Sequence, residues 1–324
     1  MTPADRVSTA GIHHVTAIAS DPRTNLDFYT DVLGLRLVKR TVNFDDPGTY
    51  HLYYGDGGGT PGTILTFFPY PGARRGARGA GQATTTAFSV PEGSLGWWLE
   101  RLERYGVPRD EPVERFDEEA VTFLDPDGLK LELVAHAGAE ERAPWQHGSV
   151  PPERSIRGFH SVALTLRSAT PTAELLAEGL GLTADGEAGG RSRFRGTSPV
   201  GARVDLIESP GGTAGTVAAG TVHHVAFRVP TEEEQLAWRD RLLDAGLGVT
   251  PVQDRQYFRS IYFREPGGVL FEIATDPPGF TADETVEELG SALKLPPWLE
   301  RHRGEIAAAL PSLEHGAGTG QGVA

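Results

Sequence analysis

The chain has 324 residues, of which 30 are basic and 44 acidic for a formal net charge of −14, and it contains no cysteine. The length is ample for two cores, the acidic balance argues against nucleic-acid and anionic-membrane partners, and the missing thiols exclude disulfides and thiolate metal ligands and fit a reducing cytoplasm. Met1–Ala10 is short and polar, so neither a signal peptide nor a membrane anchor is expected, and the protein is read as cytoplasmic.

The first element is the β-branched run Ile12-His-His-Val-Thr-Ala-Ile, which predicts a strand. Asn25-Leu-Asp-Phe-Tyr-Thr-Asp-Val-Leu follows, with apolar residues three or four apart as in a helix, and Gly34 stops it. The same succession returns three times. Thr84-Thr-Thr-Ala-Phe-Ser-Val precedes the helical stretch from Ser94 to Leu102 and Gly106. Phe159-His-Ser-Val-Ala-Leu-Thr precedes Thr172 to Leu180 and Gly181, and Val222-His-His-Val-Ala-Phe-Arg-Val precedes Glu233 to Leu243 and Gly246. Further strands follow each helix, and in the second and fourth units the last is introduced by a turn, Asp125-Pro-Asp-Gly128 and Glu265-Pro-Gly-Gly268. Each unit is strand-helix-strand-strand-strand over roughly 50 to 70 residues, too small to bury a core alone but adequate when paired. The stretches 137–152 and 209–220, rich in Gly with Pro and charge or with Thr, read as linkers. One pair of modules is therefore expected over 11–137 and a second over 155–280. A helical extension over 281–314 follows, with a helix from Pro296 to Leu310 led in by prolines, and the Gly-rich tail 315–324 is expected to be disordered.

The chemistry resides in matching pairs. His14 and His224 close Gly11-Ile-His-His-Val and Thr221-Val-His-His-Val, 210 positions apart, and Glu272 follows His224 by 48 residues. Two neutral imidazoles and one carboxylate on one face of a metal, with other positions open, are the ligand set of non-haem Fe(II) oxygenases. The repeat permits an internal comparison. The histidine position is filled by Thr85 in unit two and Ser161 in unit three; the Glu272 position is filled by Glu132, by Asp205, and in unit one by Thr66 or Phe67. Only a pairing of unit one with unit four brings three good ligands together. The expected fold class is therefore α+β, with four βαβββ modules forming two open barrels, units one and four sharing one and units two and three the other, metal-free one. Three protein ligands leave room for a chelating substrate and a gas, whereas a closed zinc site calls for four. Oxygen chemistry makes Fe(II) the first choice and Mn(II) the second.

Phe28-Tyr-Thr-Asp-Val-Leu-Gly-Leu and Asp125-Pro-Asp-Gly ahead of Glu132 resemble the signatures of the vicinal-oxygen-chelate superfamily, also called glyoxalase/bleomycin-resistance-like. That resemblance implies repeated βαβββ modules whose pairs curve into open cups around a metal. Longer segments look like the ring-cleaving dioxygenases that act on hydroquinones: Leu37-Val-Lys-Arg-Thr-Val-Asn-Phe-Asp, Tyr50-His-Leu-Tyr-Tyr-Gly-Asp, Gly59-Thr-Pro-Gly-Thr-Ile-Leu-Thr-Phe-Phe-Pro, Gly158-Phe-His-Ser and Arg255-Gln-Tyr-Phe-Arg-Ser-Ile-Tyr-Phe-Arg. The likeness runs from Gly11 through the C-terminal helix. It implies Fe(II) on His14, His224 and Glu272, a small aromatic diol and O2 as substrates, and extradiol-type cleavage that incorporates both oxygen atoms. It also places His13, Thr16, His223, Arg255 and Tyr262 about the metal, managing protons and developing charge.

Strand alternation puts Thr16 on the face of His14 and turns His13 and His223 away from it. Tyr50, Tyr53, Tyr54, Phe67 and Phe68 are expected as barrel core, with aromatic pocket walls as a second role. His51, His136, His147, His160, His302 and His315 lack partners at ligand spacing and read as non-metal residues. Two other functions suit the same scaffold. A glyoxalase-type lyase or isomerase needs a fourth ligand at the Thr66/Phe67 position, and a quinone- or drug-binding resistance protein has no need of the His-His-Glu set. A homo-oligomer is compatible with this reading.

Overall fold

The computed structural model describes residues 8–198 and 201–314, so the tail expected to be disordered, 315–324, lies outside the described residues. Unit one runs β1 (Ile12–Ala19), α1 (Pro22–Asp27), β2 (Arg36–Asn43), β3 (Asp46–Gly55) and β4 (Ile64–Pro69). Unit two holds β5 (Gln82–Pro91), α2 (Leu95–Arg104), β6 (Val113–Arg115), β7 (Glu118–Leu124) and β8 (Lys130–His136). Unit three holds β9 (Phe159–Leu166), α3 (Thr170–Glu174), β10 (Thr183–Ala188), β11 (Arg191–Arg195) and β12 (Arg203–Glu208). Unit four holds β13 (Thr221–Val229), α4 (Glu232–Asp244), β14 (Gln253–Asp254), β15 (Arg259–Arg264) and β16 (Leu270–Thr275). Side chains of Asp21 and Thr231 accept the Thr24 and Glu234 N–H groups and so begin α1 and α4. α1 and α3 each pass into a π turn, Phe28–Val32 and Leu175–Gly179. Beyond the helices the chain turns at Gly34 (φ 70°) and Gly246 (φ 80°), a conformation that a side chain resists.

The sixteen strands form two eight-stranded sheets, ordered β14-β15-β16-β13-β1-β4-β3-β2 and β10-β11-β12-β9-β5-β8-β7-β6. Antiparallel β1 and β13 join units one and four, and antiparallel β5 and β9 join units two and three. The chain thus folds back on itself, as the internal comparison requires. The crossovers 74–80 and 213–220 run beside each other, with bridges Arg75 to Ala219, Ala77 to Thr216 and Ala80 to Ala214. Alternation sends Val15, Ala17, Phe227 and Ile273 to the convex face of their sheet, into one buried apolar cluster fed by all four units. The concave faces carry the polar residues.

Register settles the equivalences. Ala226 stands beside Glu272, Ala87 beside Glu132, Ala163 beside Asp205 and Thr16 beside Thr66, so Thr66 and not Phe67 fills the carboxylate position in unit one. In the second cup the chain supplies its own cations. Arg191 reaches Glu132 at 2.7 Å and Asp205 at 3.3 Å, Arg193 reaches Asp205 at 2.7 Å and Glu118 at 2.8 Å, and Arg115 reaches Glu132 at 2.9 Å. Burial pushes the Glu132 and Asp205 carboxyls up, but these arginines outweigh it and hold both below the ordinary range.

The segment after β16 departs from the expected helical extension. A single 3-10 turn, Glu300–His302, leads into α5 (Arg303–Ala309), and the helix does not begin at Pro296. The adjacent prolines donate no hydrogen bonds, and the approach is held extended by Lys294 N–H donating to Arg40 O at 2.9 Å. The buried Lys39 pins this segment through Asp283 at 2.6 Å, the Phe280 carbonyl at 3.0 Å and Glu284. Phe280 packs on Tyr53 and Tyr257 in a second buried apolar cluster. Among the described residues no helix is long and apolar enough to cross a membrane.

Candidate metal centre

The site begins with three neighbouring strands. His14 on β1 and Glu272 on β16 both stand beside Ala226 of β13, one from each side, and His224 lies two residues before Ala226 on the same face. The small alanine leaves space between the longer side chains. His14 Nε2 lies 3.2 Å from His224 Nε2 and 3.3 Å from Glu272 Oε2, and His224 Nε2 lies 2.9 Å from the same oxygen. All three residues are buried and their donor atoms lie within 4.8 Å of one another. Glu272 Oε2 has no hydrogen bond of proper geometry although two ring nitrogens are this close. An unbonded buried carboxylate oxygen is costly. Three electron-pair donors facing one point suit a divalent cation with open positions, and the donor set fits Fe(II) or Mn(II).

The other nitrogens are also held. His14 Nδ1 lies 3.0 Å from His13 Nδ1, and His224 Nδ1 lies 2.8 Å from His223 Nδ1. For both Nε2 atoms to offer lone pairs, each ligand must carry its proton on Nδ1 and donate it to the neighbouring histidine, which must then be neutral. Burial favours that state: it lowers His13 well below the ordinary imidazole range and His223 to about 3. It lowers His224 too, against the pull of Glu272. Burial pushes Glu272 up, yet His14 and His224 outweigh it and hold the carboxyl well below the usual range. Ser260 Oγ donates to Glu272 Oε1 and fixes the carboxylate plane, while the Phe258 ring lies 5.0 Å from that of His14.

A cavity of about 570 Å³ opens over His14 and His224. Unit four contributes Thr250, Gln253, Arg255 and Tyr262; unit one contributes His51, Tyr53 and Phe68, with Phe44, Asp45 and Tyr70 toward the mouth. Arg255 donates to Tyr262 OH at 3.2 Å, to Gln253 at 2.6 Å and to Asp45 at 3.0 Å. Burial works against the Arg255 charge, and Tyr262 and Asp45 more than offset it. Burial and Glu272 raise the Tyr262 phenol above its ordinary range, so it stays protonated and able to donate.

The structure brings His14, His224 and Glu272 together, places His13 and His223 on the ligand rings, and sets Arg255 and Tyr262 on the cavity wall. Thr16 is bonded to Thr66 at 2.9 Å. His223 lines the cavity, contrary to strict alternation, and the register shift between Thr16 and Ala17 on the partner strand falls at this seam. Of the aromatic candidates, Tyr53 and Phe68 line the cavity, whereas Tyr50, Tyr54 and Phe67 belong to the convex core. His51 is the cavity residue that ligand spacing overlooked. Its signal is the alternation of Tyr50-His-Leu-Tyr-Tyr, in which the core takes Tyr50, Leu52 and Tyr54 and leaves His51 and Tyr53 facing the cup.

The description "Glyoxalase/Bleomycin resistance protein/Dioxygenase superfamily" belongs to the family model that matches residues 11–133 and 157–273. The "Putative ring-cleaving dioxygenase MhqO" of Bacillus subtilis (strain 168) is 50 % identical over 306 residues, 94 % of this chain and 97 % of the relative. The chlorohydroquinone/hydroquinone 1,2-dioxygenase of Sphingobium indicum is 38 % identical over 311 residues, 93 % of this chain and 95 % of the relative. A crystal structure of a "putative dioxygenase" from Bacillus subtilis superposes with a TM-score of 0.91 at 48 % identity, covering 95 % of this chain and 99 % of that one. With the family model matched across both halves and relatives aligned along nearly the whole length, the chain belongs to the Glyoxalase/Bleomycin resistance protein/Dioxygenase superfamily.

Proposed function

We propose that the protein is a cytoplasmic ring-cleaving dioxygenase that opens a substituted hydroquinone, or a related aromatic diol, with O2 at an Fe(II) held by His14, His224 and Glu272. The observation that carries this reading is the convergence of three buried donor atoms, within 4.8 Å of one another, beneath a cavity walled largely by aromatic rings. Fe(II) in that position supplies a redox-active Lewis acid with open places for a diol oxygen and dioxygen. The names of the two relatives, which describe ring-cleaving and hydroquinone dioxygenases, support the same reaction class.

The remaining work falls to the chain. His13 and His223 keep the ligand imidazoles in the tautomer that offers Nε2, and Ser260 orients the carboxylate. Phe68 and Phe258 flank the space for an aromatic ring. Arg255 and Tyr262 present a fixed cation and a phenolic donor, suited to hold negative charge as it develops on a substrate oxygen. A 1,4-diol has no vicinal hydroxyl pair, so the bond proposed to break is the one between the hydroxyl-bearing carbon at the ligands and its ring neighbour. That position agrees with the 1,2 in the name of the Sphingobium indicum relative and, lying beside a hydroxyl-bearing carbon and not between two, is of the extradiol type. A glyoxalase-type reaction is disfavoured, because Thr66 holds the fourth-ligand position and its hydroxyl is engaged by His51 and Thr16.

Dioxygen uptake by anaerobically iron-loaded protein, across a panel of hydroquinones and catechols, tests the proposal. Uptake matched one for one by diol consumption is expected with Fe(II). An iron-loaded protein that consumes no dioxygen with any diol sinks the reading, and activity with Mn(II) alone would change the metal.

A further inference from the structure

Apart from the metal ligands, a continuous polar connection in the first cup runs through His51. Its Nδ1 lies 2.8 Å from the Tyr53 hydroxyl and its Nε2 lies 2.8 Å from Thr66 Oγ1. Thr66 Oγ1 in turn lies 2.9 Å from Thr16 Oγ1. Strand register makes the chain: Tyr53 stands opposite Thr66, and Thr66 stands beside Thr16, so polar side chains on three adjacent strands face the same way. Thr16 is opposite His224 and two residues from His14, which puts one end of the chain between two ligands. At the other end His51 and Tyr53 line the cavity.

A buried neutral histidine has one N–H to give and one lone pair to fill. Here both nitrogens meet hydroxyls, and a hydroxyl accepts one proton while releasing another, just as an imidazole takes a proton at one nitrogen and gives one from the other. The ring is clamped between Tyr53 and Phe68, with centroids 4.0 and 4.3 Å away, so both bonds are held at once. Burial keeps His51 neutral, the state in which it can pass a proton without gaining charge. Thr41, the strand neighbour opposite His51, shows the contrast: its buried hydroxyl has no partner.

We propose that Tyr53, His51, Thr66 and Thr16 form a proton relay that takes the proton of a diol hydroxyl in the cavity and delivers it beside the metal ligands. The proposal rests on the ring-cleaving reading above. As the substrate O–H bond breaks, its proton goes to the Tyr53 oxygen and its electron pair stays on the substrate oxygen, enriching the ring. The Tyr53 proton moves to His51 Nδ1, the His51 Nε2 proton to Thr66, the Thr66 proton to Thr16, and the Thr16 proton to oxygen derived from dioxygen. All four residues end neutral, with His51 in its other tautomer, and dioxygen is the oxidant that the ring-cleaving reaction already uses.

The test uses the full iron-loaded chain and Tyr53→Phe, Thr66→Val, their double variant, His51→Gln and the control Thr41→Val. Iron content and Tm are measured first, then kcat and KM for a hydroquinone and the rate in mixtures of H2O and D2O. Each relay variant is expected to keep its iron, and Thr66→Val its KM as well, while kcat falls about 10²- to 10⁴-fold, the scale of lost proton transfer. The double variant should be no slower than its slower parent, because residues acting as one unit are not additive. The parental curved dependence on deuterium fraction should become linear. Thr41→Val should keep both the parental kcat and the curved dependence. Parental kcat in Tyr53→Phe and Thr66→Val, losses that multiply in the double variant, or iron lost from Tyr53→Phe would each overturn the relay alone. A parent that turns over no diol overturns the ring-cleaving reading, and the relay with it.

Discussion

Glu132 and Glu272 occupy the same place in their two sheets, each in parallel register with an alanine two residues past a ligand position, Ala87 for Glu132 and Ala226 for Glu272. Around Glu272 two imidazole nitrogens converge; around Glu132 lie the guanidinium groups of Arg115 and Arg191. One architectural position therefore answers its carboxylate in two ways, with a chain-borne cation in one cup and a place for a metal ion in the other.

Substitution should separate the two. Glu272→Gln is expected to lose iron and activity while remaining folded, since its neighbours are neutral imidazoles. Glu132→Gln is expected to keep one iron per folded chain but to lose stability, because breaking a buried ion pair costs about 3–5 kcal/mol. Metal analysis and thermal unfolding on the purified variants decide it: iron lost from Glu132→Gln and kept in Glu272→Gln would reverse the assignment.

Arg255→Ala and Tyr262→Phe should retain iron and slow turnover by about 10- to 1000-fold, the usual consequence of removing one charge-stabilising or proton-donating group. Arg255→Ala should be the more damaging, because it removes the partner of both Tyr262 and Asp45. Steady-state kinetics at full iron occupancy is the check, and parental rates in both variants would remove these residues from the reaction.

Substituted hydroquinones should be cleaved with higher kcat/KM than the matching catechols. A catechol can chelate through adjacent oxygens, whereas a hydroquinone places one oxygen at the ligands and the other across the ring, where a cavity with polar groups away from the metal can hold it. His51, Tyr53 and Arg255 provide such groups. Kinetics on matched pairs that favour catechols would leave ring cleavage standing and remove the hydroquinone preference.

Stability of the metal-free protein should fall as pH drops below about 6.5, the ordinary imidazole value. Burial holds His13, His51, His160 and His224 below that value, His223 at about 3 and His136 at about 4. In that window the unfolded chain binds protons that the folded chain refuses, so acid favours unfolding by up to about 1.4 kcal/mol per pH unit for each group. Asp125 acts in the other direction: burial raises it to about 7, so its share of stability is lost as pH rises from the ordinary carboxylate range through that value. Six histidines outweigh one carboxyl. Thermal unfolding from pH 8 to pH 5 is the measurement, and a Tm that rises on acidification would contradict the account.

Repetition made the convergence of His14 and His224 readable, because the two recur in matching strands and the intervening units carry Thr85 and Ser161 at the same position. The same comparison gave the nesting of the units. Thr66 could not be separated from Phe67 because both suit a buried strand; only the pairing of Thr16 with Thr66 distinguishes them. The arginines of the second cup, Arg115, Arg191 and Arg193, lie on hairpins whose polar sequences look solvated; the closing of the sheet buries Arg191 and Arg193 and half-buries Arg115. His51 escaped notice since ligand spacing says nothing about a histidine whose partners are hydroxyls on the same and the next strand.

The back-folded topology orders how the site can be completed during synthesis. β5 and β9 are made before β13, so the inner sheet has its seam strands available while β1 still lacks its partner. Of the three residues His14, on β1, is made first, but Glu272 is supplied only by β16, the last strand of the outer sheet to be made. A chain broken between β13 and β16 contains both histidines and still has no carboxylate to complete the triad. On the proposed ligand set, metal content would therefore report on the integrity of the polypeptide, since it requires a chain translated through the fourth repeat and folded back to the first.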